Sequence, residues 1–119
     1  MNQSEDVLDM NVIAALKELG GEGDDSLFRE LLDLYVDDST SQMRRLEESL
    51  KSGDLKVAER IAHTLKSSSA NLGATTLSQI CMQMELRGRG AAPATMSELL
   101  GATREEHTRV VKALNALRT

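Results

Sequence analysis

The spacing of residues near the C-terminus constrains the fold of this chain more than any other feature. Positions that repeat at alternating intervals of four and three residues are Met96, Leu100, Thr103, His107, Val110, Leu114 and Leu117. This spacing puts their side chains along one stripe of an α-helix, the stripe that a helix buries in a bundle. We therefore predict that His107, which lies on the stripe, faces the core or its edge and makes a local hydrogen bond.

Glycine-containing breaks divide the rest of the chain into shorter helical segments. Glycine suits the left-handed residue just past a helix, and Asp and Thr suit N-caps, so Gly53 and Gly73 are predicted to end helices and Asp54 and Thr75 to begin them. The predicted helices cover about residues 7–19, 25–51, 54–72, 76–87 and 93–118. Short connections favour antiparallel neighbours, so residues 1–119 are predicted to form a single all-α domain, an antiparallel four-helix bundle with a short additional N-terminal helix.

Composition excludes several classes of function. The first 60 residues carry an excess of acidic side chains, and the net charge of the chain is −5, which makes nucleic acid a poor partner. A lone Cys81 and two histidines far apart give no zinc-ligand spacing. The sequence has no apolar run long enough for a membrane span and no basic, apolar signal segment, so we expect a cytoplasmic protein without a membrane partner.

His63 differs from His107 in its position on the helix. At about 100° per residue, the apolar residues of the segment 54–72 share one arc with Ile61, and His63 points away from that arc. An exposed histidine is ordinary by itself, but the positions one and two turns later are Ser67 and Ala70, which leave room for another protein surface. Lys66 supplies a cation where an anion on the ring would sit. This pattern predicts a phosphate-accepting histidine.

The residues around His63 carry a family resemblance. The stretch A-H-T-L-K-S-S-S-A-N-L-G-A, Ala62 to Ala74, resembles the signature of histidine-containing phosphotransfer (HPt) domains of multistep phosphorelays, with His63 at the phosphorylated position. The pairs Gly53-Asp54 and Met84-Glu85 extend the resemblance over most of the chain. This sequence departs from the family pattern at Ser67, where glycine is most frequent, and at Met84, where leucine is usual.

The resemblance implies a phosphorelay intermediate. His63 would accept a phosphoryl group from the aspartate of a receiver domain and pass it to the aspartate of another response regulator. The expected partners are the receiver domains of a hybrid sensor kinase and of a response regulator. The chain would be a monomeric phosphocarrier and not an enzyme, with no cofactor of its own, because it lacks a phosphate-binding loop and an acidic magnesium cluster, and magnesium is expected on the partner receiver.

The resemblance also implies roles for the neighbours of His63. Lys66 and Ser67 would stabilise the phosphoryl group. Glu85 matches the position that reaches the other ring nitrogen of the histidine in similar domains, although a solvated glutamate near a helix end fits the sequence equally well. Gln83 is a weaker candidate for the same contact.

We predict that a receiver docks on an exposed face around His63. The residues expected on that face are Glu59, His63, Lys66, Ser67 and Ala70. The alternative function is a non-catalytic helical adaptor that docks signalling partners through its acidic first half and carries no phosphate.

Overall fold

The computed structural model describes residues 7–21 and 23–118, and these residues form helices and no strand. The α-helices are α1 (Met10–Glu18), α2 (Ser26–Ser52), α3 (Leu55–Asn71), α4 (Thr75–Arg89) and α5 (Leu100–Arg118), with a 3-10 helix at Pro93–Leu99. The predicted all-α bundle with a short additional N-terminal helix is confirmed. The ends of the predicted domain, residues 1–6 and 119, lie outside the described residues.

The turn between α2 and α3 follows the predicted chemistry. Gly53 adopts a left-handed conformation with φ of 79°, which a residue without a Cβ adopts at little cost, and its N–H donates to the carbonyl of Leu50. The carboxylate of Asp54 then accepts from the N–H of Val57 at 3.3 Å and caps α3. A turn of this length returns the chain antiparallel to α2.

The turn between α3 and α4 differs from the prediction by one residue. The N-cap of α4 is Ala74, and Thr75 is already the first helical residue. The reason is the left-handed turn at Gly73, which allows the N–H of Ala74 to donate to the carbonyl of Ser69 at 2.8 Å and buries Ala74 completely. No side chain therefore caps α4 at its N-cap position.

The predicted continuous helix over about residues 93–118 is wrong at its start. Pro93–Leu99 is a 3-10 helix, and the α-helix begins only at Leu100. The hydroxyls of Thr95 and Ser97 each donate to the carbonyl three residues earlier, which competes with α-helical bonding. The side chain of Arg87 also donates to the carbonyl of Thr95, tying this segment to α4.

The core lies between α2, α3, α4 and α5. Its fully buried side chains include Leu32 and Leu46 of α2, Leu65 of α3, Leu77 and Met84 of α4 and Leu114 of α5. Of the helix pairs, α3 and α4 make the most extensive contact. α1 lies near the C-terminal end of α3, where the N–H of Asp9 donates to the carbonyl of Gly73 at 2.7 Å. The pair α3–α4 therefore provides the largest interface between helices on which a site can be built.

His107 is buried in the bundle, as the spacing of the last segment predicts. Its side chain on α5 is 8% exposed, and its Nε2 lies 2.8 Å from the Oγ of Ser39 on α2. Burial lowers the pKa of His107, because a charged imidazolium loses its hydration in the core. The predicted core-facing position of His107 is thus confirmed, whereas its hydrogen bond is not local, because Ser39 lies on another helix.

Replacing His107 by Gln should change how stability depends on pH. Because the pKa of His107 is lowered on folding, its contribution to the free energy of unfolding is fully present above the unfolded-state pKa of about 6.5. That contribution is lost as pH falls through the folded-state pKa. The variant should lose about 1–3 kcal/mol at neutral pH through the disturbed bond to Ser39, but the difference from the parent should shrink in acid. Urea unfolding of both proteins at pH 7.5 and pH 5 measures this, and a difference that stays constant would contradict the assignment.

Candidate functional site

His63 lies on the outer face of α3. Its side chain is 55% exposed, whereas Ala58, Ile61, Ala62, Leu65 and Ser69 form the buried face of the same helix. His63 points outward because each residue of an α-helix is rotated by about 100° from the one before, which places it on the opposite side of the helix from these buried residues. The ring is therefore accessible to another macromolecule on one side, while its other side faces α4.

Glu85 of α4 holds the inner edge of the His63 ring. The glutamate is 2% exposed, and its Oε2 lies 2.7 Å from the Nδ1 of His63. The Oε1 of the same carboxylate accepts from the Nζ of Lys66 at 2.8 Å. Of the two residues that the sequence offered for this contact, Glu85 makes it and Gln83 lies exposed on α4.

The surroundings of Glu85 keep it ionised. Burial by itself raises the pKa of Glu85, but the hydrogen bonds from Lys66 and His63 and the charge of Arg89 outweigh burial, so the pKa lies below its usual value. A carboxylate accepts hydrogen bonds and donates none, so the short contact with the imidazole places the ring proton on Nδ1. The lone pair of the neutral ring then resides on Nε2.

Arg89 is a site residue that the sequence reasoning missed. Its Nη2 lies 2.6 Å from the Oε2 of Glu85, the oxygen that also binds His63, and its side chain is 59% exposed. The signal was present in the sequence, because Glu85 and Arg89 are four residues apart and such pairs meet on one helix face. The carboxylate of Glu85 consequently has three partners, His63, Lys66 and Arg89.

Glu59 is less exposed than the sequence predicts, and its role in docking stays a prediction. Its side chain is only 16% exposed, and its Oε1 lies 3.4 Å from the Nε of Arg89. The cause is α4, which passes close to this side of α3 at Gly88. A Cβ added to Gly88 would lie 3.2 Å from the Cβ of Glu59, so α4 covers the glutamate where a wheel drawn for α3 alone shows open solvent.

The small residues beyond His63 are exposed. Ser67 and Ala70 lie on the solvent side of α3, one and two turns after the histidine, and Lys66 is 30% exposed beside them. The structure therefore brings His63, Lys66, Ser67 and Ala70 onto one accessible face, which we call the His63 face. The two exposed positions of α3 that follow the ring by one and two turns thus carry small side chains.

Other reactive groups lie away from this face. Cys81 is fully buried in α4, and burial raises the pKa of its thiol to about 12, which suppresses the nucleophilic thiolate. Within residues 7–21 and 23–118, no group of three or more His, Cys, Asp or Glu side chains is placed to hold a metal ion. None of the helices described is long and apolar enough to cross a bilayer.

Comparisons with known proteins agree on one family. The sequence profile of the Hpt domain matches residues 30–119. Histidine-containing phosphotransfer protein B (HptB) of Pseudomonas aeruginosa PAO1 is 29% identical, with a TM-score of 0.85 over 94% of each chain. A rice protein whose proposed identity is a histidine-containing phosphotransfer protein shares the fold at 19% identity, with a TM-score of 0.82 over 97% of this chain and 81% of its own. The comparison with curated protein sequences gave no significant match.

The chain therefore belongs to the Hpt domain family. Its role is phosphotransfer within a two-component signalling relay, as a phosphocarrier and not as a conventional enzyme. Hpt domains interact with the receiver domains of two-component systems, which gives the class of partner.

Proposed function

We propose that His63 accepts a phosphoryl group on its Nε2 from the aspartate of a receiver domain and passes it to the aspartate of a second receiver. The observation that carries this proposal is the exposed ring whose Nδ1 lies 2.7 Å from the buried carboxylate of Glu85. That contact orients the ring, fixes the proton on the inner nitrogen and leaves the outer nitrogen as the nucleophile.

The transfer step balances without a base at the outer nitrogen. The lone pair of Nε2 attacks phosphorus, an N–P bond forms as the P–O bond to the receiver aspartate breaks, and the released carboxylate keeps the electron pair. The ring retains its proton on Nδ1 and becomes positively charged. Glu85 stabilises this charge, because its carboxylate stays ionised and already accepts from Nδ1. The reverse step discharges the group to the second receiver.

Neighbouring side chains supply the remaining stabilisation of the phosphoryl group. Lys66 is partly exposed beside the ring and can share its ammonium group between Glu85 and a phosphoryl oxygen. The hydroxyl of Ser67 is a donor on the same accessible face. Both residues contribute positioning, and Lys66 also contributes charge; positioning and charge dominate the energetics of phosphoryl transfer.

We propose that the receiver completes the active site. Transfer of a phosphoryl group needs a divalent cation and an acidic pocket. We assign both to the receiver, with magnesium as its ion. The donor would be the receiver of a hybrid sensor kinase and the acceptor a response regulator, and a cytoplasmic monomer of this chain would serve both in turn. Docking on the His63 face would exclude water from the joint site.

The test is direct transfer between proteins. A receiver domain is charged with labelled acetyl phosphate, freed of excess reagent and mixed with the purified chain. The receiver is one that transfers its label to another Hpt protein, which serves as the positive control. The label should move to this chain and be lost in mild acid but not in alkali, as expected for a phosphorylated imidazole nitrogen. A chain that stays unlabelled beside a labelled control protein would favour the adaptor function instead.

A further inference from the structure

Glu59 is connected to the site through its ion pair with Arg89. It lies one helical turn before His63, and its carboxylate pairs with the Nε of Arg89 at 3.4 Å. The side chain is mostly buried, since α4 passes against it at Gly88. Arg89 is therefore held at two points, by Glu59 through Nε and by Glu85 through Nη2.

The ion pairs beside the ring match two carboxylates with two cations before phosphorylation. Lys66 and Arg89 supply two cations, and Glu59 and Glu85 supply two carboxylates that pair with them. A phosphoryl group adds about two negative charges, as it does on other side chains. Lys66 and Arg89 can each pair with a carboxylate or with a phosphoryl oxygen, so each carboxylate competes with the phosphoryl group for a cation.

The two carboxylates differ in what they contact. Glu85 binds the Nδ1 of His63 and is needed to orient the ring. The ion pair of Glu59 is with Arg89, at the part of the guanidinium nearest the backbone. The two ring nitrogens point in different directions, so a guanidinium fixed to the carboxylate at Nδ1 must move to meet a phosphoryl group on Nε2. Glu59 opposes that movement.

We propose that Glu59 is a positioning residue that holds Arg89 back from the phosphoryl group and so limits how strongly His63 retains it. The inference rests on the proposed function, since it concerns the same transfer. A carrier must release what it accepts, and a second carboxylate on Arg89 shifts the balance of the transfer toward release. The arrangement sets the equilibrium of the relay step without touching the reacting atoms.

Glu59→Gln tests this inference because it removes the charge and keeps the shape. At equilibrium with a phosphorylated receiver, the variant should hold the label more strongly than the parent, with an equilibrium constant raised about three- to tenfold. The gain should decrease at high salt, since screening weakens interactions between partly exposed charges. A merely structural role for Glu59 would predict a less stable protein and no gain in retention.

Two further variants make the result specific. Glu105→Gln removes one negative charge from an exposed position on α5 and should leave the equilibrium constant unchanged. In an Arg89→Gln background, Glu59→Gln should have no effect, because the residue that it restrains is gone. Circular dichroism and thermal unfolding establish that each variant is folded.

Each outcome decides the inference. The inference is supported if the equilibrium constant for transfer to this chain rises in Glu59→Gln only when Arg89 is present. A constant that is unchanged or lowered in Glu59→Gln, or raised equally without Arg89, overturns it while leaving phosphoryl acceptance by His63 intact. A parent chain that accepts no label from a competent receiver overturns both this inference and the proposed function.

Discussion

The His63→Gln variant is expected to accept no phosphoryl group while keeping its fold. Glutamine lacks the nucleophilic ring nitrogen, but its amide can still donate a hydrogen bond to Glu85. The position is exposed, and substitutions at exposed positions usually change stability by no more than about 0.5 kcal/mol. Transfer from a labelled receiver should fall to background, and circular dichroism and urea unfolding should match those of the parent.

His107→Gln is the matched control for this experiment. It removes the other histidine, which lies in the core against Ser39, so it should lower stability and leave phosphoryl acceptance in place. The assignment of the reactive histidine would be wrong if the folded His107 variant lost the label and the His63 variant kept it.

A bulky cation on the His63 face is expected to block transfer. Ser67→Arg and Ala70→Arg place a long side chain one and two turns from the ring, on exposed positions that now leave room for a partner. A receiver must bring its aspartate within bonding distance of Nε2, so misplacing it by about 1 Å can cost roughly a hundredfold in rate. We expect at least that loss in the initial rate of transfer from a labelled receiver.

Ala102→Arg provides the matched control for steric block. Ala102 is an exposed residue of α5, and the same substitution there adds the same charge and volume on a helix that contributes none of the site residues. Arg118→Ala is a second control. It removes a positive charge at the C-terminal end of α5, where Arg118 pairs with Asp33. Both controls should transfer like the parent. If the variants at Ser67 and Ala70 did so too, docking on the His63 face would have to be abandoned.

Local signals in the sequence predicted most of the fold. Gly53 and Asp54 define a turn by their own backbone and capping preferences, and the outward orientation of His63 follows from the period of a single helix. The start of the last segment was predicted less well. Its Thr95 and Ser97 bond back to nearby carbonyls, an effect that hydrophobic spacing does not register.

Contacts between helices set the limit of prediction for the site. The family resemblance pointed to Glu85, but whether that carboxylate is solvated or buried against His63 depends on how α4 packs on α3. The same packing covers Glu59 and brings Arg89 to it, and neither result is visible on a wheel of one helix. Ser39 is a similar case, since its buried hydroxyl contacts His107 across the bundle, and the pattern of α2 alone does not show that partner.

The charged contacts of the site all lie within one helical hairpin. His63 and Glu59 are on α3, Glu85 and Arg89 are on α4, and the only connection between the helices is the tight turn at Gly73. Chimaeras between homologous domains can therefore be joined in the α2–α3 turn and after Arg89 without separating any of these partners. The hairpin of α3 and α4 would then be transferred as one unit. Partner preference contributed by α2 or α5 could be changed while the residues around His63 stay the same.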